Sequence, residues 1–101
     1  MGDWTADPHV VELRGRIADA DREILDKVNE RIELVDALRR YKLEQGYPFV
    51  DQNREEWLIA HLTQINRGPL SPAGVRELFT ALIEIGKREV VDAQTPPQAS
   101  A

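Results

Sequence analysis

The chain has 101 residues, 42% hydrophobic and 31% charged, with a net charge of −5 and no cysteine. This is the composition of one globular domain rather than two; it excludes disulfides and thiolate metal sites and gives no global positive field for a nucleic acid. No apolar run approaches the ~20 residues of a membrane span, and "MGDWTADPHV" has neither the basic nor the apolar part of a secretory leader, so a cytoplasmic protein without membrane contact is expected.

Residues 1–7 are expected to be a short tail. Asp7-Pro8 then starts a helix, with Asp as N-cap and Pro at the first helical position. Val10, Leu13, Ile17, Ala20, Ile24, Val28, Arg31, Val35, Leu38 and Lys42 follow at steps of three or four, which is one face of a long helix. Gly46 supplies a C-cap and Pro48 a stop, so the helix is placed over about 8–43. Asp51 is the next N-cap, with Glu55 and Glu56 early in the helix, where they complement its dipole. Leu58, Leu62 and Ile65 form the stripe of this second helix, which "NRGPLSP" ends; Ser71-Pro72 opens a third, with Val75, Leu78, Phe79, Leu82, Ile83, Gly86 and Val90 on its apolar face. The fold class is all-α, with one helical domain over 8–92 and a Pro-, Ala- and Ser-rich tail over 93–101 expected to be disordered.

A helix of about 35 residues is roughly 50 Å long at 1.5 Å per residue, whereas a compact 100-residue domain has a radius of gyration near ~13 Å. An apolar stripe along the whole helix would be exposed in a compact monomer. A second copy of the chain covers it most simply, so an intertwined helical homodimer is expected; a plain antiparallel three-helix monomer is the alternative.

A local concentration of cations stands out against the acidic total. Arg31 and Lys42 are 11 residues apart, which places them on one helix face about 16 Å apart along the axis. They either bracket a small molecule or pair with glutamates and reach to water. Arg14 lies 17 residues before Arg31, about 25 Å along the axis and ~100° round it. It is either an unrelated surface cation or the partner's contribution to a site shared between chains. Arg54 has the planar fork that suits a carboxylate, and Glu55 and Asp51 can accept hydrogen bonds from hydroxyls, although Asp51 is equally explained as a cap and Arg54–Glu55 as a solvated face. Gly86 interrupts an apolar stripe at a cost of about 1 kcal/mol relative to Ala, so either a helix or a ligand comes close there. No histidine pair has metal-ligand spacing, no glycine-rich phosphate loop is present, and His61 reads as a surface or packing residue. Cations and carboxylates without a nucleophile suit binding, or a reaction that needs only conformational selection and electrostatics.

The strings "LRGRIADADREILDKVNERIELV", "RRYKLEQGYPFVDQNREEWLIAHL" and "LSPAGVRELFTALIE" together resemble the all-helical, type II chorismate mutases over about residues 10–90. The resemblance implies an isomerase of the shikimate pathway and aromatic amino acid biosynthesis. It would rearrange chorismate, a dianion, to prephenate with no cofactor and no metal. It implies that Arg14 from the partner chain and Arg31 grip the carboxylates, Lys42 bonds the ether oxygen, Glu55 and the Asp51 region hold the ring hydroxyl, and Arg54 completes the positive lining. Gly86 stands where many relatives have Ser. Val90 stands where they have a Gln or Glu on the ether oxygen, with Glu89 as its neighbour one position away. Related readings are a mutase of 4-amino-4-deoxychorismate, an isochorismate-pyruvate lyase, and a catalytically weak binding or regulatory module that depends on a shikimate-pathway enzyme as partner.

Overall fold

The computed structural model describes residues 2–94, and all of its regular structure is helical: a 3-10 turn Trp4–Ala6, α1 Pro8–Gln45, α2 Gln52–Ile65 and α3 Pro72–Gln94. By packing, the chain divides into two units between Glu30 and Arg31.

In the N-terminal unit, the Asp3 side chain caps the 3-10 turn by accepting from the Thr5 backbone N–H and hydroxyl. Trp4–Ala6 of the expected tail over 1–7 thus form a turn, and residue 1 lies outside the described residues. Asp7 follows as the cap of α1: its carboxylate accepts from His9 N at 2.8 Å and its carbonyl from Val11 N at 2.9 Å. Pro8 then needs no hydrogen bond of its own at the first helical position. Further on, Arg22 pairs with Asp19, and Lys27 with Glu30 at 2.9 Å, one turn apart on an exposed face.

In the second unit, α1 ends in a Schellman motif. Gly46 takes φ 73°, Gly46 N donates to Leu43 O and Tyr47 N donates to Lys42 O, so two terminal carbonyls are satisfied. Only glycine occupies that left-handed position without a steric cost. The helix runs two residues past the expected 43, up to Gln45, directly before its expected cap at Gly46. Asp51 caps α2 through Arg54 N at 3.0 Å, and Ser71 Oγ caps α3 through Gly74 N at 3.0 Å. Between them Asn66 folds the loop, donating to Leu70 O and accepting from Gly68 N. The last helix reaches Gln94, so the expected disordered tail loses 93–94 to α3, and 95–101 lie outside the described residues.

Helix α2 packs on α3. Among the described residues, the buried apolar ones are Ile59 from α2 and Val75, Ile83 and Val90 from α3. No residue of α1 is buried: Ile17 and Ile24 are each 60% exposed and Leu38 52%. The periodicity of α1 thus describes a stripe that the single chain leaves open, while α3 uses its own to make a core; α2 buries Ile59, beside its expected stripe of Leu58, Leu62 and Ile65, and leaves Ile65 exposed. No described helix is long and apolar enough to cross a membrane.

Candidate functional site

A cavity of about 320 Å³ opens in the second unit, lined by Val35, Leu38, Arg39 and Lys42 of α1, Phe49 and Val50 of the following loop, and Lys87 and Val90 of α3. Five of these are apolar, and the three charged ones are all cations. A pocket of this size lies at the small end of the range for organic ligands. With no carboxylate among its lining residues, it favours an anion with an apolar body. The chain's net negative charge is therefore reversed locally, which is the concentration of cations that the composition demanded of any anion site.

The cations are held in different ways. Lys42 Nζ donates to Phe49 O at 3.3 Å, a long bond that leaves the ammonium with donors to spare. The Arg39 guanidinium lies 5.1 Å from the centroid of the Phe49 ring, a cation–π contact. Lys87 Nζ bonds Glu55 Oε1 at 2.8 Å, with Glu84 at 3.7 Å. The hydrogen bond to Glu55, helped by the charges of Glu55 and Glu84, raises the Lys87 pKa against the opposing effect of burial. The stability that goes with a raised lysine pKa is present below the ordinary lysine range and is lost as pH rises through the raised value. Lys87 therefore stays charged across neutral pH.

Arg31 is half-buried and its Nη1 donates to Leu82 O at 3.5 Å. Directly beneath it is Gly86: a Cβ there would stand 3.3 Å from Arg31 Nη1. The glycine thus makes room for a guanidinium rather than for a neighbouring helix. Gly86→Ala is expected to gain up to about 1 kcal/mol of helix propensity, because the end of an arginine can shift, while displacing the guanidinium. A thermal melt should hold or rise; a clearly lower melt would show that the guanidinium cannot move aside.

Of the expected site residues, Lys42 and Val90 line the cavity, and the others, Arg31 and Gly86 included, lie outside its lining. Asp51 is exposed and occupied as a cap. Arg54 turns along its own helix, 4.2 Å over the Trp57 ring, which in turn stacks on His61 at 4.8 Å. Glu55 is half-buried and joins the cavity only through Lys87. Arg14 belongs to the N-terminal unit, where its guanidinium lies 5.0 Å over Trp4. Of the two neighbours on α3, Val90 is 2% exposed and lines the cavity. Glu89 is an exposed side chain facing Arg88 at 3.9 Å.

Sequence reading missed Arg39 and Lys87. Both could have been found by the spacing rule used for the others, since each stands three residues before a residue already assigned to the site, Lys42 or Val90. Among the described residues no cluster of three or more His, Asp or Glu is placed to hold a metal ion.

A sequence profile described as chorismate mutase type II matches residues 13–90. Among curated proteins, the bifunctional chorismate mutase/prephenate dehydratase of Pseudomonas aeruginosa is 30% identical over 76 residues, covering 70% of this chain. The protein of the same name from Stutzerimonas stutzeri is 31% identical over 77 residues, again 70% of this chain. The chain spans 21% of the length of each of these relatives. Two solved structures of the chorismate mutase of Thermus thermophilus share the fold. Form I aligns with a TM-score of 0.75 at 35% identity, covering 77% of this chain and 98% of that one. Form II aligns with a TM-score of 0.79 at 32% identity, covering 87% and 99%.

Proposed function

Because this chain belongs to the type II chorismate mutase family, we propose that it rearranges chorismate to prephenate. The observation that carries the reading is the cavity whose charged lining is entirely cationic, Arg39, Lys42 and Lys87, since chorismate is a dianion with an apolar ring. The reaction is intramolecular: an ether C–O bond breaks as a C–C bond forms. It needs no nucleophile, cofactor or metal. The protein holds the substrate in a compact, chair-like conformer that it visits rarely in water, and places fixed positive charge beside the ether oxygen, where negative charge grows in the transition state.

In this reading Arg31, and Arg14 from a partner chain, hold the two carboxylates. Lys42 is the donor to the ether oxygen, and Glu55 accepts from the ring hydroxyl. Asp51 supports the same region by fixing the start of α2. Arg54 adds positive charge near a carboxylate. Gly86 leaves space for Arg31, and Val90 gives the cavity an apolar wall. The uncovered stripe of α1, with no buried residue on it, supports an intertwined homodimer in which a second copy covers that face. The proposed setting is cytoplasmic aromatic amino acid biosynthesis. The bifunctional names of the curated relatives support another enzyme of the shikimate pathway as a further partner.

The test is product identification. Purified protein is incubated separately with chorismate, 4-amino-4-deoxychorismate and isochorismate. Prephenate from chorismate, at a rate well above the uncatalysed one, is the expected result. Rearrangement of the amino analogue alone, or pyruvate released from isochorismate alone, would replace the proposed substrate. No turnover of any of the three would leave a binding module.

A further inference from the structure

The face that α3 turns to the cavity carries Lys87 and, one turn later, Val90. Val90 offers only methyl groups, and Glu89 does not line the cavity and faces Arg88. The polar group that α3 itself brings to this wall is therefore the Lys87 ammonium. An ammonium has three donors. One short bond to Glu55 at 2.8 Å and a looser ion pair to Glu84 at 3.7 Å leave at least one N–H for the cavity. Its stem is anchored by Glu55, so little order remains to be imposed on it when a ligand arrives.

We propose that Lys87 is a second catalytic cation of this site, directing an N–H to the ether oxygen of bound chorismate alongside Lys42, while Glu55 stays paired with it and accepts from the ring hydroxyl. This rests on the chorismate-to-prephenate reading. No proton or electron passes between protein and substrate: the ether oxygen becomes the ketone oxygen of prephenate within one molecule, and the two ammonium groups offset the negative charge it carries on the way. Glu55 alone would bring a negative charge towards a dianion. Paired with Lys87, it arrives as a neutral unit with one acceptor to give and one donor to spare. Raised by its hydrogen bond to Glu55, the Lys87 pKa keeps the group charged throughout the neutral range.

The experiment compares wild type with Lys87→Met, Lys87→Arg, Glu55→Gln and the double variant Lys87→Met/Glu55→Gln, measuring prephenate formation. Lys87→Met keeps the length of the stem without the charge and is expected to lower kcat by about 10- to 100-fold, less than a fully enclosed donor would, because the group is partly open to water. Lys87→Arg should retain most of the rate. If Lys87 touches the substrate, the double variant is slower than Glu55→Gln by itself. If Lys87 acts only by holding Glu55, the double variant equals Glu55→Gln, and the proposal is overturned. It is equally overturned by a Lys87→Met protein with wild-type kcat. Thermal melts of each variant report on folding, and a half-exposed lysine is expected to leave them little changed. Wild-type protein that forms no prephenate would instead overturn the reading of the reaction itself, and with it this role for Lys87.

Discussion

Lys42→Ala is expected to lower kcat by about 10²–10³ while changing KM far less, as when one donor to a transition-state oxyanion is removed. The ammonium lies on the cavity wall with only a 3.3 Å bond to Phe49 O to give up, so it can turn to a substrate at small cost. Its partner charge is nearly absent in chorismate and largest as the ether bond breaks, which is why the loss should fall on kcat. Folding is a separate matter. Lys42 is in the last turn of α1, where a cation is worth about 0.3–1 kcal/mol against the helix dipole, and its backbone carbonyl still accepts from Tyr47 N in the variant. A small drop in melting temperature is therefore expected beside a large drop in rate. If Lys42→Ala raises KM and leaves kcat alone, Lys42 is a ground-state ligand and the assignment to the ether oxygen is wrong.

Arg14→Ala and Arg31→Ala are each expected to cost about ten- to a hundredfold in kcat/KM, as for loss of a hydrogen bond to a charged group. Mixed together they should recover. If Arg14 serves the partner's site, a dimer of one chain of each kind has one site with both arginines and one with neither. Random pairing of equal amounts in a two-fold dimer then restores about a quarter of wild-type activity. Sedimentation at micromolar concentration should show about twice the chain mass, in keeping with a dimer that covers the open stripe of α1. No recovery, with mixed dimers shown to form, would place Arg14 outside the site. A fully active monomer would remove the shared-site arrangement altogether. In the single chain Arg14 rests on Trp4, an exposed contact that a substrate carboxylate can replace.

The sequence by itself determined the three α-helices and their caps. Asp7, Gly46, Asp51 and Ser71 all act as the capping positions that their residue types predict, because caps are settled by bonds within a few residues of chain. The three- and four-residue steps likewise found the face of α3 that packs, including Val75, Ile83 and Val90, but on α2 the buried residue is Ile59, beside the expected stripe, and Ile65 of that stripe is exposed. What only the tertiary structure decided is which charged side chains share a space. Periodicity fixes an angle around one helix axis; it does not say where the loop after that helix goes or which turn of another helix faces it. The return of Phe49 and Val50 beside α1 brings Lys42 and Arg39 into one cavity with Lys87. The facing of α1 and α3 gives Gly86 its reason, as the floor beneath Arg31. Long side chains then take their nearest partner, whether or not it is a ligand. Arg54 lies on Trp57, one turn along its own helix, and Glu55 reaches across to Lys87 on α3. Both glutamate and arginine have several rotamers of similar energy, so the choice among them is made by neighbours that are distant in sequence.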